Sequence, residues 1–274
     1  NMTDSMTEDN RKIGILGGGQ LAMMMTEAAK EMGYKVYVLD PTPKCPASFA
    51  GAIQTVGSFR NDIDINNFIK NTKVDVLTYD IESINIETLC TNTLEIHPTP
   101  VALSIINDKL CQHEFYEKYD LPIPKFETVD IWRPHFENEI VLKTRYGGYD
   151  GKGVWVIHTE AEFNKVIGDS GLPLAQFYVE EKVMIKKELS LIMSIDVKGN
   201  ISYYPIVELE QENGICISTI APAIISNKME KEIQELGAKI YKSLVNVCRT
   251  SYVGILAVEL FLTMDNEILI KDRK

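Results

Sequence analysis

The apolar positions of the first hundred residues have the spacing of strands that alternate with helices. Short runs rich in β-branched residues at 12–17, 35–40 and 74–79 predict three strands. Helical spacing over 20–32 and 59–72 predicts the helices that connect them. Apolar strands that alternate with helices are typical of a parallel sheet covered on both faces. The pattern therefore predicts a parallel, doubly wound α/β sheet at the start of the chain.

The pattern changes after Pro98 and Pro100, which end this first region. Residues 101–119 predict one linking helix, and longer strands joined by turn residues follow it. The predicted elements are a hairpin of strands 188–196 and 201–207, a helix over 227–247, and a hairpin of strands 254–262 and 267–270. The second region is therefore expected to contain antiparallel hairpins and a long amphipathic helix.

A glycine-rich segment, residues 143–153, carries the strongest chemical signal. It holds four glycines, two lysines, an arginine and an aspartate, and apolar strands are predicted on both sides, at 139–142 and 154–157. Glycine lets the backbone approach a ligand closely and direct several N–H groups at one anion, while Lys143 and Lys152 add positive charge. A bare hairpin tip needs fewer glycines and cations, so we interpret the segment as a loop that binds nucleotide phosphates. Its spacing is not that of a Walker loop.

A second glycine turn follows the first predicted strand. Gly17, Gly19 and Ala22 fit the pattern G-x-G-x-x-A, and Asp40 ends the next strand. This is the fingerprint of dinucleotide binding, although the same turn at a helix N-terminus can hold any phosphate or simply change the chain direction. A nicotinamide dinucleotide, a phosphorylated substrate and plain turn geometry all remain open for this turn.

Several carboxylates lie on strands of the second region. Glu180 and Glu181 end an apolar strand at 176–179, where backbone groups can face an adenine edge and a carboxylate can face a ribose. Glu259 lies inside the apolar run Ala-Val-Glu-Leu-Phe. A carboxylate in such a strand is costly unless it is paired or bound to a cation. We therefore expect Glu259 either in a buried ion pair or on Mg²⁺.

Charge and cysteine content exclude some classes of function. The 274 residues carry a net charge of −11 at pH 7, whereas nucleic-acid and anionic-membrane surfaces need an excess of Lys and Arg. Neither partner is expected. Five cysteines without a C-x-x-C pair indicate the reduced thiols of a cytosolic protein. No apolar run reaches roughly 18 residues, so no membrane span is expected.

In chain order, the motifs resemble those of one enzyme family. The matching stretches are GILGGGQL (14–21), GYKVYVLDP (33–41), TYDIESI (78–84), NDKL (107–110), LKTRYGGYDGKG (142–153), KKELSL (186–191), IAPA (220–223) and YVGILAVELF (252–261). The sequence resembles the N5-carboxyaminoimidazole ribonucleotide synthases, which are ATP-grasp enzymes of purine synthesis. Among ATP-grasp proteins the run GGYDGKG is specific to this family.

The resemblance implies a fold and a reaction. The implied fold is a Rossmann-like (pre-ATP-grasp) parallel sheet at 1–105 followed by an ATP-grasp α+β domain at 106–274, with a lid lobe at about 125–180. The implied reaction converts ATP, bicarbonate and aminoimidazole ribonucleotide into the N5-carbamate, ADP and phosphate, with carboxyphosphate as the proposed intermediate. ATP and Mg²⁺ are the implied cofactors, and the implied enzyme is a cytoplasmic homodimer.

The resemblance also implies roles for individual residues. The ATP phosphates are expected to contact Lys109 and Lys143, and the implied catalytic residues are Lys143, Arg145, Asp150 and Lys152. The flexible loop and the adenine-side strand are expected to be formed by Gly148, Tyr149, Asp150, Gly151, Lys152, Gly153, Glu180, Glu181, Lys182 and Val183. The remaining implied contacts are Glu188 and Gln211 to ATP, Glu259 and Asp272 to Mg²⁺, and Gly19, Gln20 and Leu21 to aminoimidazole ribonucleotide.

The sequence departs from the family pattern at several positions. Lys109 replaces the usual arginine, and Gln211 replaces a histidine. Residues 271–274 fall where the family carries its second Mg²⁺ ligand, and the stretch that helps to hold the substrate phosphate is missing. We therefore expect either that the C-terminal end is missing from this chain, or that the protein is diverged, weakly active or inactive. A non-catalytic nucleotide-binding homologue and a nicotinamide oxidoreductase are the alternative hypotheses.

Overall fold

A computed structural model of the chain describes residues 11–129, 136, 139–147, 153–212 and 215–273, except for the side chains of Ile215, Asp272 and Arg273. Five residues of the predicted phosphate loop lie outside the described residues: Gly148, Tyr149, Asp150, Gly151 and Lys152. The chain divides into two compact units, Asn1–Leu103 and Ser104–Lys274. No helix among the described residues combines the length and the apolar character that crossing a membrane requires.

The first unit is built on a parallel sheet with the strand order β3-β2-β1-β4-β5. Its strands are β1 (Lys12–Leu16), β2 (Lys35–Asp40), β3 (Ile53–Val56), β4 (Val76–Tyr79) and β5 (Glu95–Ile96). Its helices are α1 (Gln20–Glu31), α2 (Pro46–Phe49), α3 (Asp62–Thr72), α4 (Ile86–Cys90) and α5 (Pro100–Asn107), the last of which continues into the second unit. The predicted parallel α/β sheet is confirmed.

The central strands of this sheet are buried on both faces. Ile15 packs with Ala22 of α1 in one core, and the next residue, Leu16, packs with Phe68 of α3 in the other. Successive side chains of a strand point to opposite faces, so one apolar strand serves both cores. The edge strand β3 was not predicted, because its four residues include only two large apolar side chains, Ile53 and Val56, which are both exposed.

The second unit contains a small antiparallel sheet with the order β6-β9-β7-β8. Its elements are α6 (Lys109–Lys118), β6 (Phe126–Thr128), β7 (Ile140–Thr144), β8 (Val154–Ile157), α7 (Glu160–Ser170), a 3₁₀ turn (Leu174–Gln176) and β9 (Phe177–Glu181). Strands β7 and β8 flank the glycine loop, as predicted. The amide N–H of Thr144 donates to the Gly153 carbonyl at 3.0 Å, which fixes the two ends of the loop next to each other.

A larger sheet with the order β13-β12-β10-β14-β15 completes the second unit, and β11 also pairs with β10. Its elements are β10 (Ile185–Ile195), β11 (Ile201–Tyr203), β12 (Val207–Glu212), β13 (Ile215–Ile220), α8 (Asn227–Cys248), β14 (Gly254–Thr263) and β15 (Ile268–Arg273). Ser226 caps the start of α8 by accepting the Met229 N–H at 3.2 Å. Gly237 of α8 lies against Leu191 and Met193, so the helix covers the face of β10 that carries these residues.

Two predicted elements were wrong in extent. The single helix predicted over 101–119 is two helices, because Asp108 adopts an extended backbone and its side chain caps α6. The strand predicted over 201–207 is interrupted between β11 and β12. Pro205 lies in this gap, where it has no N–H to donate to a sheet.

Candidate functional site

Lys143 forms a buried ion pair at the start of the glycine loop. It lies on β7, and its Nζ is 2.8 Å from Oε1 and 2.7 Å from Oε2 of Glu180 on β9. Tyr178 is the register partner of Lys143, so Glu180 lies two residues further along β9 on the same face. Both side chains are at least nine-tenths buried. The sheet therefore places a desolvated ammonium group and its counter-charge directly before the loop.

His113 on α6 is a second partner for Glu180. Its Nε2 lies 2.9 Å from Glu180 Oε1, but the two atoms are not aligned for a hydrogen bond. Its Nδ1 lies 2.8 Å from the Lys109 carbonyl oxygen. Phe126 and Tyr178 pack against the imidazole ring at 5.1 and 5.2 Å between ring centroids. His113 is fully buried. The carboxylate thus lies against two buried side chains, Lys143 and His113.

The ionisation of Glu180 follows from this environment. Burial alone would raise the pKa of the carboxyl group, but the Lys143 ammonium and the His113 ring outweigh it and lower the pKa to about 2. Glu180 is therefore ionised throughout the physiological pH range. It balances the charge of Lys143, which would otherwise be an isolated buried cation.

Arg145, predicted to be catalytic, is paired with Asp108. Its guanidinium group donates to Asp108 through Nε at 3.1 Å and through Nη2, and Tyr146 donates to the same carboxylate at 2.7 Å. Burial raises the pKa of Asp108, but the bonds from Arg145 and Tyr146 prevail and the pKa is lowered. The Lys109 amide also donates to the Arg145 carbonyl at 2.9 Å. These contacts fix the start of α6 to the incoming side of the loop.

The backbone of the predicted adenine-side strand is partly engaged within the protein. The N–H of Glu181 donates to the Lys125 carbonyl, and the N–H of Lys182 donates to the Glu139 carbonyl, each at 2.8 Å. The Lys182 ammonium also pairs with the Glu139 carboxylate. Within the described part of the chain no partner reaches the N–H of Val183. Of these three donors, Val183 is the one that a nucleotide base can use without displacing a bond.

Glu188 and Glu259, predicted to contact ATP and Mg²⁺, lie on β10 and β14 of the larger sheet. Lys271 lies between them, with its Nζ 2.9 Å from Glu188 Oε2 and 3.8 Å from Glu259 Oε2. The side chain of Asp272 lies outside the described residues, and Gln211 is exposed on β12. The described residues contain no group of three His, Cys, Asp or Glu that could hold a metal. With a lysine ammonium on Glu259, the described side chains do not fit Mg²⁺.

The carboxylate of Asp80 lies against the glycine turn of the first unit, at the start of α1. Gly17 has a φ of 86°, which favours glycine, and the N–H groups of Gly19 and Ala22 donate to Asp80. Burial raises the pKa of Asp80. Asp40 accepts the Gly18 N–H at 2.8 Å, so the acid that a dinucleotide ribose would need is already engaged. The predicted substrate residues Gln20 and Leu21 are exposed on the first turn of α1.

Three polar residues of these sites were not predicted from the sequence. Asp80 directly follows β4, the neighbour of β1, so its position at the carboxyl edge of a parallel sheet was a usable signal. Asp108 precedes a helix start, a position typical of caps. His113 gave no signal, because its contact with Glu180 joins residues 67 positions apart in a register that spacing does not reveal.

Comparison with known proteins decides the family. Residues 10–107 match the ribonucleotide synthetase preATP-grasp domain, and residues 114–272 match the ATP-grasp domain. N5-carboxyaminoimidazole ribonucleotide synthase of Staphylococcus aureus (strain COL) is 30% identical over 269 residues, which are 95% of this chain and 68% of that protein. The chain belongs to the N5-carboxyaminoimidazole ribonucleotide synthase family. It is thus also a member of the ATP-grasp family, as the motifs indicated.

Other members of the family extend the comparison. The chloroplastic phosphoribosylaminoimidazole carboxylase of Vigna aconitifolia is 34% identical over 95% of this chain, but the chain spans only 46% of that protein. The crystal structure of the N5-carboxyaminoimidazole synthase of Aspergillus clavatus, in complex with ADP and 5-aminoimidazole ribonucleotide, has a TM-score of 0.83 and 27% identity. That match covers 96% of this chain and 69% of the other.

Proposed function

We propose that this chain catalyses the ATP- and bicarbonate-dependent carboxylation of 5-aminoimidazole ribonucleotide to its N5-carboxy form, as a carbon–nitrogen ligase of de novo purine synthesis. The observation that carries the proposal is the buried Lys143–Glu180 pair at the start of a glycine loop. Two comparisons support it: the name of the Staphylococcus relative, and the ADP and 5-aminoimidazole ribonucleotide bound to the Aspergillus protein.

The chemistry requires anions to be brought together. Bicarbonate is a poor electrophile, so the proposed route activates it by phosphorylation to carboxyphosphate, which the amine of the ribonucleotide then attacks. Lys143 would contact the nucleotide phosphates and offset their repulsion, and its pairing with Glu180 holds the ammonium in place before the nucleotide arrives. An ion pair at ~4 Å contributes on the order of 4 kcal/mol at an effective dielectric constant near 20. Loss of Lys143 should therefore slow the reaction by roughly two to three orders of magnitude.

The remaining parts of the proposal rest on the resemblance. ATP is the proposed phosphoryl donor, and the loop residues 148–152, Gly153 and Lys109 are proposed to surround its phosphates. Mg²⁺ would neutralise the charge of the phosphates. While Glu259 is paired with Lys271, however, its carboxylate does not fit Mg²⁺. A cytoplasmic location and a homodimer are proposed because the family implies them.

Phosphate release tests the proposed reaction. With ATP, Mg²⁺ and bicarbonate present, we expect release of phosphate that depends on added 5-aminoimidazole ribonucleotide. Lys143→Ala should slow this release by roughly two to three orders of magnitude. Lys228→Ala, which changes an exposed lysine of α8, should leave it unchanged. Equal turnover by the Lys143→Ala protein would refute the proposed role of this lysine.

A second candidate is a nucleotide-binding homologue without turnover. It is favoured by the pairing of Lys271 with Glu188, since this pairing engages a carboxylate that the resemblance assigns to ATP binding. Phosphate release and calorimetry together separate the two candidates. A protein that binds ADP in the calorimeter but releases no phosphate is the non-catalytic homologue. A nicotinamide oxidoreductase would instead bind NADH in preference to ADP, and the engaged carboxylate of Asp40 argues against it.

A further inference from the structure

Lys271 contacts two carboxylates at the edge of the larger sheet. Its Nζ lies 2.9 Å from Glu188 Oε2 and 3.8 Å from Glu259 Oε2, and each of the three side chains is only about one-fifth exposed. The ammonium also lies 5.4 Å from the centroid of the Phe261 ring. One positive charge is thus held against two partly desolvated negative charges.

The strand register explains why three charged side chains meet here. Glu259 pairs with Ser190, two residues from Glu188 on β10, so the two carboxylates lie on the same face of the sheet. Leu191, whose side chain meets α8, points to the opposite face. The carboxylates therefore lie on the face that α8 does not cover.

An irregularity in β15 brings Lys271 to this face. Along β14, Glu259 pairs with Asp272 and the next residue, Leu260, pairs with Ile270, so Lys271 is the extra residue in the ladder. An extra residue of this kind bends a strand and redirects its side chain. Here it directs the ammonium to Glu188 and Glu259.

We infer that Lys271 acts as an internal cation, which holds Glu188 and Glu259 together and keeps a divalent cation off Glu259. That Glu259 would otherwise meet Mg²⁺ rests on the proposed function. A divalent ion that approached Glu259 Oε2 would come within a few ångströms of the ammonium, where like charges repel. It would also have to displace Lys271 from the carboxylates that balance its charge.

Binding of Mn²⁺ in the absence of nucleotide tests this inference, with free Mn²⁺ measured by electron paramagnetic resonance. Lys271→Met removes the charge and should bind Mn²⁺ at least about tenfold more tightly than the wild type. Lys271→Arg keeps the charge and should resemble the wild type. The double variant Lys271→Met/Glu259→Gln should lose the gained affinity, because the gained site needs the Glu259 carboxylate. Lys186→Met serves as the matched control, since Lys186 is an exposed lysine of the same sheet bonded to Asn266.

Equal Mn²⁺ affinity of the wild type and Lys271→Met would overturn the inference, as would an equal gain in Lys271→Arg. Lys271→Gln, which keeps a polar group on the strand, repeats the test if the Met variant does not fold. ADP affinity, measured separately on the wild type, addresses the proposed function. If ADP does not bind, the proposed function is refuted. The Mn²⁺ measurements contain no nucleotide, so they still decide the role of Lys271.

Discussion

Replacing Glu180 by glutamine should destabilise the second unit strongly. The substitution keeps the shape of the side chain but removes the negative charge that lies 2.7 Å from the Lys143 ammonium and 2.9 Å from His113. Removing one partner of a buried pair leaves the other charge desolvated and unbalanced, which costs about 3–5 kcal/mol. The lowered pKa of Glu180 gives a similar loss of stability, since a fall from 4.5 to about 2 corresponds to about 3 kcal/mol at neutral pH.

The pH dependence of this difference has a definite sign. Because folding lowers the pKa of Glu180, its contribution is fully present above about pH 4.5 and is lost as the pH falls towards 2. The glutamine variant lacks this titration. The stability difference between wild type and Glu180→Gln should therefore be constant from pH 5 to 8, and should shrink by up to about 1.4 kcal/mol per pH unit below that range.

Urea unfolding followed by tryptophan fluorescence measures this effect in the second unit alone, since both tryptophans, Trp132 and Trp155, belong to it. With a slope of about 2 kcal/mol per molar urea, a loss of 3 kcal/mol lowers the midpoint by about 1.5 M. Glu181→Gln is the matched control. Its carboxylate pairs with the largely exposed Lys125, so it should cost less than about 1 kcal/mol. Equal midpoints for Glu180→Gln and wild type would refute the reasoning.

Substitutions at three further positions test the fold and the contacts of the loop. Asp108→Asn should cost about 1–3 kcal/mol in urea unfolding, since it removes the charge that Arg145 binds but keeps a capping oxygen. Gly18→Ala should destabilise the first unit by about 1–3 kcal/mol in thermal unfolding, because the added Cβ would lie 2.4 Å from Cys45 Sγ. An unchanged melting temperature would contradict this expectation. Ser226→Ala should cost about 1 kcal/mol of stability through loss of the α8 cap, whereas Ser226→Asp should keep a capping oxygen and the wild-type stability. Equal stability of the wild type and both variants would show that the cap contributes nothing.

The fold class and the family could be predicted from the sequence because each rests on local signals. The central strands of the first unit are apolar on both faces, and their alternation with helices permits few architectures. The strands on either side of the glycine loop were predicted for the same reason. Elements with a short and weak apolar signal, such as the exposed edge strand β3, were missed.

The partners of the charged residues could not be predicted from the sequence. Lys143 was singled out by its place before the loop, but its pairing with Glu180 depends on the register of β7 against β9, which spacing does not give. The contact of Lys271 with both carboxylates likewise depends on an irregularity in β15. Such contacts follow from tertiary geometry and not from any periodic pattern.

Isotope transfer tests the central claim most directly. Bicarbonate labelled with ¹⁸O would be incubated with the protein, ATP, Mg²⁺ and 5-aminoimidazole ribonucleotide, and the released phosphate analysed by mass spectrometry. If the bicarbonate is phosphorylated and the amine then attacks its carbon, the bridging oxygen leaves with the phosphate. We therefore predict phosphate that carries one ¹⁸O atom. Phosphate released without the label would contradict the account.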